Sequence, residues 1–262
     1  MKLATFNCNS IRTRLDILLS WLSQNNPDFL CLQETKTTDP DFPADALRFH
    51  GWHAVFRGEK SYNGVAILSR VPADEVTFGL DPDPADASAP LDPARLVCAR
   101  YGTLHILNTY IPQGREILHP MYAYKLRWFQ RLKDYIAARF TPATPLLWCG
   151  DLNVARLPID VTRPETKTDH VCYHQDVRAA FQNVLDFGFT DLFRQLHPDL
   201  ADYTFYDYRT PLDPAHRRGW RIDYILTTPP LTDRATSASI DIAPRLLPRP
   251  SDHTPLLATF DL

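Results

Sequence analysis

Short apolar runs alternate with polar turns along the whole chain, and this pattern predicts mainly β-strands. Each run is shorter than a typical helix and is bounded by turn-forming residues. The predicted strands cover residues 3–8, 29–33, 52–56, 65–69, 95–101, 104–111, 146–149, 222–227 and 255–260. Longer segments at 15–22, 122–140 and 177–187 carry apolar residues at helical spacing instead. They predict amphipathic helices.

The order of these elements favours layered sheets over a doubly wound parallel sheet. Many predicted strands are consecutive, and few strand pairs are separated by a helix, so a sandwich of sheets with outer helices fits best. The Pro- and Asp-rich segment 81–93 is short and is followed at once by another predicted strand. We interpret it as a surface loop rather than a linker. We therefore expect a single domain over residues 1–262.

The composition is that of a folded protein, with 44% hydrophobic and 11% aromatic residues in 262. These values exclude a disordered, collagen-like or coiled-coil chain. The cysteines are odd in number, scattered and not spaced as metal-binding pairs, which predicts reduced core thiols in a cytosolic protein. No apolar run approaches eighteen residues, so we predict neither a membrane span nor a signal peptide.

The charge balance gives no general attraction to nucleic acid, because 28 basic and 31 acidic residues leave a net charge of −3. The charges are unevenly distributed, however. Residues 72–93 hold six acidic residues and no Lys or Arg, whereas residues 115–139 hold six basic residues against two acidic ones. The second segment is a candidate source of phosphate contacts.

Polar side chains stand at the ends of several predicted strands. They are Asn7, Glu34, Asp151, Asn153, Asp252 and His253, with Asp223 inside the apolar run WRIDYIL. Taken singly, most have an ordinary explanation, since Asn and carboxylates often cap turns and helices. Asp223 is harder to explain in this way, because a carboxylate within an apolar strand must be solvated, hydrogen-bonded or paired.

Taken together, these residue types form a set that metal-assisted phosphoester hydrolysis requires. Carboxylate and amide oxygens that converge at strand ends would suit Mg²⁺ or Mn²⁺. A histidine oriented by an aspartate, together with a tyrosine, adds groups that polarise a phosphate and stabilise a leaving oxygen. A zinc hydrolase is disfavoured, because no pair of histidines has ligand spacing.

Several short motifs occur in one order along the chain: FNCNSIR, LQETK, NGVAILSR, TYIPQG, CGDLNVA, GWRIDYIL and SDHTPLLATF. Over residues 2–260 the sequence therefore resembles the exonuclease III and apurinic/apyrimidinic (AP) endonuclease family of the endonuclease/exonuclease/phosphatase superfamily. The resemblance implies a DNase I-like, four-layered α/β sandwich, in which two packed β-sheets are flanked by helices. The departures, Cys8 after Asn7 and Ala155 with Arg156 after GDLNV, lie outside the matched polar positions.

The resemblance implies a Mg²⁺ site, with Mn²⁺ able to substitute. Glu34 would be the principal ligand, with Asn7 and Asp252 as further ligands or organisers. The full set of candidate ligands is Asn7, Glu34, Asp151, Asn153, Asp252 and His253. Whether one ion or two would bind stays open.

The resemblance also implies catalytic roles. Asp151 would activate the attacking water, Asn153 would orient it, and Tyr110 would act on the phosphate or the leaving group. His253, held by Asp223, would stabilise charge on the scissile phosphate. A buried Asp223 would favour the charged imidazolium form of His253. Which carboxylate takes the proton from water is left open by the sequence.

Loops at 111–119 and 204–220 are the segments that the resemblance implies for gripping a bent duplex. Phe205, Tyr206 and Trp220 would line an apolar pocket for a base-less sugar, with ordinary core packing as the alternative. The candidate DNA-binding residues are Arg115, Lys125, Phe205, Arg209, Arg217 and Trp220, with Arg127 and Arg218 as further phosphate contacts.

The implied function is DNA repair. The enzyme would hydrolyse phosphodiesters 5′ to abasic sites in duplex DNA, with 3′–5′ exonuclease and 3′-end-cleaning activity on blocked 3′ ends. We expect a monomeric, cytoplasmic, nucleoid-associated protein that does not bind membranes. One alternative is a superfamily phosphodiesterase for another substrate, although LQETK and GWRIDY favour DNA. The other is a silent nucleic-acid-binding regulator, which should lack part of the polar set.

Overall fold

The computed structural model describes residues 1–209 and 217–262. Within these ranges, twelve strands occur: β1 (Lys2–Asn7), β2 (Phe29–Gln33), β3 (His53–Arg57), β4 (Val65–Ser69), β5 (Glu75–Phe78), β6 (Leu96–Tyr101), β7 (Leu104–Tyr110), β8 (Leu146–Asp151), β9 (Thr190–Asp191), β10 (Asp223–Thr227), β11 (Ala235–Ile240) and β12 (Leu256–Phe260). They form two six-stranded sheets. The first has the order β11-β12-β1-β2-β4-β3, and the second has the order β5-β6-β7-β8-β10-β9.

Six α-helices lie in the same described ranges: α1 (Ile11–Asn25), α2 (Ala44–Phe49), α3 (Pro120–Arg139), α4 (Gln175–Leu185), α5 (Leu192–Leu196) and α6 (Pro229–Thr232). The helices α1 and α2 pack on the outer face of the first sheet, and α3 and α4 pack on the outer face of the second. No helix in this described part of the chain is long and apolar enough to cross a membrane.

The side-chain alternation of the strands produces the layers. In β2, Phe29 and Cys31 point toward the second sheet, whereas Leu30 and Leu32 point toward α1. Successive strand residues face opposite sides of a sheet, so a fully apolar strand fills two cores at once. The predicted four-layered sandwich of two sheets flanked by helices is confirmed.

The strands and helices that the sequence pattern did not predict are short or lie at sheet edges. The missed strands β5, β9 and β11 are all edge strands, and β5 and β11 are largely exposed. Edge strands have one open side and need no continuous apolar run, so their pattern is weak. The missed helices α2, α5 and α6 have six residues or fewer, too few to show a helical period. The cysteines are buried free thiols, as predicted.

The acidic segment 81–93 lies against α3 and neutralises it. Asp83 pairs with Arg127 at 2.5 Å, and both carboxylate oxygens of Asp81 accept from Arg139 at 2.6 Å. Arg131 donates to the carbonyl oxygens of Pro90 and Asp81 at 3.0 and 2.9 Å. The two oppositely charged segments of the sequence therefore pair with each other. The guanidinium of Arg127 is bound to Asp83 through Nε, and the expectation that Arg127 contacts phosphate stays a prediction.

A buried ion network holds the loop after β8 against the start of β10. Arg221 is fully buried, and it donates to Asp160 Oδ1 at 2.9 Å and to Asp191 Oδ2 at 2.7 Å. Arg194 donates to the same Asp160 oxygen at 2.7 Å. The backbone N–H of Arg221 also donates to the Asp160 carbonyl at 2.8 Å. Because Arg221 lies two residues before Asp223, this network fixes one strand of the candidate site.

We expect Arg221→Met to lower the free energy of unfolding by about 3–5 kcal/mol, because it leaves Asp191 buried without its ion-pair partner and leaves Asp160 paired with Arg194 alone. Burial raises the pKa of Asp160, but Arg221 and the hydrogen bonds outweigh burial and hold that pKa below its usual range. The stabilisation from Asp160 is therefore present above its unfolded pKa of about 3.9 and is lost as the pH falls through the lower folded value.

Urea unfolding at neutral and acidic pH measures this effect. Arg48→Met is the matched control, because Arg48 pairs with Asp45 on the exposed surface of α2. It should leave the unfolding curve nearly unchanged. Equal losses in the two variants would contradict a structural role for the buried network.

Candidate active site where the two sheets meet

Asn7 joins carboxylates from the two sheets. It is the last residue of β1, and Glu34 follows the parallel strand β2, so both lie at the same edge of the first sheet. Asp151 ends β8 in the second sheet. The Asn7 Nδ2 atom donates to Glu34 Oε1 and to Asp151 Oδ2, both at 2.9 Å. One buried amide group therefore sets the spacing between the two carboxylates.

Glu34 is held in its charged form by a neighbouring lysine. Lys36 Nζ lies 2.6 Å from Glu34 Oε2 and also donates to Asn9 Oδ1 at 2.6 Å. Burial would raise the pKa of Glu34, but the Lys36 charge and the hydrogen bonds from Lys36 and Asn7 outweigh it, so the pKa lies below its usual range. An ionised oxygen donor is what a hard divalent cation requires.

Asp252 reaches the same edge through hydrogen bonds to the first sheet. Asn9 Nδ2 donates to Asp252 Oδ1 at 2.9 Å. Ser251 Oγ donates to the carbonyl oxygen of Asn7 at 2.8 Å and accepts from the backbone N–H of His253 at 3.1 Å. Asn9, Ser251 and Lys36 were missed as site residues, although all three stand inside the motifs FNCNSIR, SDHTPLLATF and LQETK. Their positions within those motifs were the available signal.

His253 lies between two aspartates of the second sheet. Its Nδ1 atom is 2.8 Å from Asp223 Oδ2, and its Nε2 atom is 3.7 Å from Asp151 Oδ2. Burial alone would lower the pKa of His253, but the charges of Asp223 and Asp151 and the hydrogen bond to Asp223 raise it to about 10. The imidazole is therefore a cation at neutral pH, with both nitrogen atoms acting as donors.

Asp151 has its two oxygens held by different donors. Asn7 Nδ2 binds Oδ2, and the backbone N–H of Asn153 donates to Oδ1 at 3.0 Å. Burial raises the pKa of Asp151 to about 7, with His253 opposing the shift and Asp223 adding to it. A carboxylate with a pKa near the working pH suits proton transfer.

Asn153 and Tyr110 flank Asp151 from the same sheet. The side chain of Asn153 donates to the Ile111 carbonyl at 3.0 Å, so its backbone rather than its amide group contacts Asp151. Tyr110 stands opposite Asp151 in the pairing of β7 with β8. Burial and the charges of Glu34 and Asp151 raise the pKa of Tyr110 well above its usual value, so the phenol stays protonated and can donate.

Hydrogen bonds from the described protein groups do not satisfy every carboxylate oxygen of the site, and a cation can bind the oxygens that remain. Ligand atoms of Asp151, Asp223 and His253 lie within 4.8 Å of one another, but the imidazolium form of His253 has no lone pair for a cation, so only the two carboxylates of this group act as ligands in that state. Asp223 Oδ1 is buried and has no hydrogen-bond partner among the described residues. A buried carboxylate oxygen without a partner is costly unless an ion or water satisfies it. The oxygen-rich donor set therefore fits a divalent cation at this edge.

Lys125 does not contact DNA, and this prediction is wrong. Its side chain is fully buried under α3, and Nζ donates to the carbonyl oxygens of Asn153 at 2.6 Å, Val171 at 2.8 Å and Gln113 at 3.1 Å. Burial lowers the pKa of its ammonium group. Lys125 instead joins three loops at the site. The spacing of basic residues along the helix does not predict that one of them is buried in this way.

The predicted arginines differ in their surroundings. Arg115 is exposed on the loop after β7, with a backbone φ of 63° and its N–H bound to Gln113 Oε1 at 2.7 Å. Arg209 is paired with Asp207 and Arg217 with Asp202, at 2.7 and 2.8 Å. Only Arg115 of these three has no ion pair to a described carboxylate. Residues 210–216 of the predicted loop lie outside the described residues.

Two of the three aromatic residues predicted to line a pocket, Phe205 and Trp220, lie side by side, and the pocket itself stays a prediction. The Phe205 ring contacts the His253 ring at 5.1 Å between centroids, and Phe205 pairs with Trp220 as an isolated antiparallel bridge. One side of Trp220 lies against His170, with ring centroids 4.6 Å apart. Tyr206 is 1% exposed, so it belongs to the core and not to a pocket wall.

Comparisons with known proteins agree with this geometry. A family model described as the Endonuclease/Exonuclease/phosphatase family matches residues 4–253. Exodeoxyribonuclease III of Haemophilus influenzae is 30% identical over 269 residues, covering 99% of this chain and 100% of the relative. An AP endonuclease structure from Archaeoglobus fulgidus superposes with a TM-score of 0.96 at 46% identity, covering 100% of both chains. A 3′ phosphatase from Neisseria bound to a product DNA hairpin gives 0.92 at 38% identity, again covering 100% of both.

Proposed function

The chain belongs to the endonuclease/exonuclease/phosphatase family, and from this we propose that it is a DNA-repair nuclease that cleaves duplex DNA 5′ to abasic sites. The arrangement that carries the proposal is Asn7 bridging Glu34 and Asp151 across the two sheets, with His253 between Asp151 and Asp223. Relatives named exodeoxyribonuclease III, AP endonuclease and 3′ phosphatase support the activity class. They also support 3′–5′ exonuclease and 3′-end-cleaning activity.

Glu34 would hold Mg²⁺, with Asp252 and Asn7 completing or organising the site, and Mn²⁺ would substitute. The ionised state of Glu34 supports a bound cation. When bound, the ion would neutralise charge that develops on the phosphate.

The protein residues divide the remaining work between proton transfer and charge stabilisation. Asp151, fixed by Asn7 and the backbone of Asn153, accepts the proton of the attacking water. The imidazolium of His253 donates to a phosphate oxygen, where fixed donors stabilise the transition state more than water does. The protonated Tyr110 donates to the phosphate or to the leaving oxygen.

Selection of the abasic nucleotide rests on shape. Phe205 touches His253, so it forms the nearest apolar wall to the reacting phosphate, with Trp220 beside it. A sugar without its base fits against such a wall, and its extrusion from the duplex costs less than that of an intact nucleotide. We expect a monomer with one catalytic domain over residues 1–262, acting in the cytoplasm on nucleoid DNA.

The decisive assay uses a labelled duplex with one abasic analogue and a matched intact duplex, each with Mg²⁺ or EDTA. We expect incision 5′ to the abasic site in Mg²⁺, loss of incision in EDTA, and recovery when excess Mg²⁺ is restored. Full activity after exhaustive metal stripping would refute the metal role. Equal cleavage of the two duplexes would refute the abasic preference, and cleavage of small phosphodiesters alone would favour the other superfamily substrates.

A further inference from the structure

We propose that Gln33 and Asn108 form an inter-sheet clamp that holds the two halves of the candidate active site in register. Gln33 belongs to β2 in the first sheet, and Asn108 belongs to β7 in the second. The proposal rests on the proposed function, and it adds a pair of positioning residues that do not touch the substrate. Neither residue is among the candidate site residues predicted from the sequence.

The inter-sheet clamp consists of three hydrogen bonds that cross from one sheet to the other. Gln33 Nε2 donates to Asn108 Oδ1 at 2.6 Å. Asn108 Nδ2 in turn donates to the backbone carbonyl oxygens of Leu32 in β2 and Ala66 in β4, both at 2.9 Å. One side chain of the second sheet therefore holds two neighbouring strands of the first sheet.

The amide groups of the inter-sheet clamp are buried where apolar side chains are the usual occupants. Gln33 and Asn108 are fully buried. Two residues before them in their strands, Cys31 and Ile106 belong to the apolar core between the sheets. Gln33 Nε2 also donates to Thr5 Oγ1 of β1 at 2.9 Å, which anchors the amide within the first sheet. Because apolar contacts are non-directional and hydrogen bonds require a defined distance and angle, the polar pair fixes how one sheet lies on the other.

The inter-sheet clamp lies directly beneath the candidate active site. Glu34 follows Gln33 in the chain. Tyr110 lies on the same face of β7 as Asn108, because side chains two residues apart in a strand point the same way, and Tyr110 pairs with Asp151 of β8. A close-packed interior transmits displacements. A shift at the clamp would therefore move Glu34 of the first sheet relative to Tyr110 and Asp151 of the second.

Replacing both amides by apolar side chains of similar size separates positioning from stability. Gln33 Oε1 is buried with no hydrogen-bond partner among the described residues, so the native amide carries a desolvation cost that methionine would not. We expect Gln33→Met with Asn108→Leu to lower the melting temperature by only a few degrees. Turnover on the abasic duplex should nevertheless fall roughly 10- to 100-fold with KM little changed, because a misplacement of about 1 Å in the reacting groups has effects of this size.

Gln33→Met alone keeps the proposal testable if the double variant does not fold. It removes the bond between the two side chains and leaves the bonds from Asn108 to Leu32 and Ala66 in place. We expect turnover to fall roughly fivefold, which corresponds to the net contribution of one hydrogen bond. Wild-type turnover in this variant, when it is folded, would overturn the proposal.

Thr109→Val is the matched control. Thr109 follows Asn108 in β7 but points to the opposite face, where its Oγ1 atom accepts from Trp148 Nε1 at 2.9 Å. Its loss removes a buried hydrogen bond without changing the contact between the sheets. The melting temperature should therefore fall, and turnover should stay at the wild-type value. Equal losses of turnover in the control and the clamp variants, or a raised KM with unchanged turnover in the clamp variants, would overturn the proposal.

Binding of Mn²⁺ without DNA separates failure of the inter-sheet clamp from failure of the proposed activity. Isothermal titration calorimetry measures this binding and requires no cleavage. The candidate ligands come from both sheets, so we expect the folded double variant to bind Mn²⁺ several-fold more weakly than the wild type and Thr109→Val to bind it equally. If the wild-type protein binds Mn²⁺ but does not incise DNA, the proposed activity fails, and weaker binding in the double variant still supports the clamp. Wild-type Mn²⁺ affinity in the folded double variant would overturn the clamp, whether or not the protein incises DNA.

Discussion

Asp151→Asn should lower turnover by about 10²–10⁴-fold at every Mg²⁺ concentration, because the substitution removes the group that accepts the proton of water. The two oxygens of Asp151 accept from Asn7 and from the backbone of Asn153. An asparagine would present its NH₂ group to one of these donors, so the geometry cannot be kept in full. Single-turnover rates over a Mg²⁺ series measure the effect.

Glu34→Ala supplies the contrasting variant. Glu34 is paired with Lys36 and bound to Asn7, which hold it as an ionised oxygen donor for the metal. We expect its loss to move the Mg²⁺ requirement to higher concentration, with partial recovery in excess metal. If Asp151→Asn also recovered in excess metal, the separate roles would be wrong. Melting curves of both variants check that each remains folded.

The candidate residues were predicted from their positions at the ends of predicted strands. These positions identified more residues of the site than any single motif did. Asn7 and Glu34 share an edge because β1 and β2 are parallel. That Asn7 also reaches Asp151 depends on how closely the two sheets pack, which no local pattern encodes. The roles assigned to these residues remain predictions, since proximity alone does not establish chemistry.

Charged residues were the least predictable class. The basic face of α3 resembled a phosphate-binding surface, but the acidic segment 81–93 forms ion pairs with Arg127 and Arg139. Lys125 points inward, where three carbonyl oxygens replace the water around its ammonium group. Long side chains can bury or expose their charge at the same backbone position, so helical spacing does not decide between the two.

The unpredicted site residues have a common physical reason. Lys36, Asn9 and Ser251 act through hydrogen bonds to residues that are distant in sequence. Their side chains are small or flexible, and each has many ordinary uses at a turn. Only the assembled sheets show that these three residues hold Glu34, Asp252 and the carbonyl of Asn7. The same assembly holds His253 between Asp151 and Asp223. Whether His253 and Asp223 act as one unit can therefore be tested with single and double variants.

His253→Ala should lower turnover by roughly 10²–10³-fold, because it removes a fixed cationic donor to the phosphate. If Asp223 works by holding that imidazole, Asp223→Ala with His253→Ala should be little worse than His253→Ala alone, since groups that act as one unit are strongly non-additive. The bond from His253 Nδ1 to Asp223 Oδ2, 2.8 Å long, is the observation that joins them.

A spectroscopic measurement distinguishes this positioning role from a structural one. The charge of Asp223 helps to raise the pKa of His253 to about 10, so Asp223→Asn should lower that pKa in an imidazole titration followed by NMR. The carboxamide keeps the size of the side chain and a hydrogen-bond acceptor, so the fold should be retained. Losses that multiply in the double variant, together with an unshifted imidazole titration in Asp223→Asn, would show that Asp223 acts independently of His253.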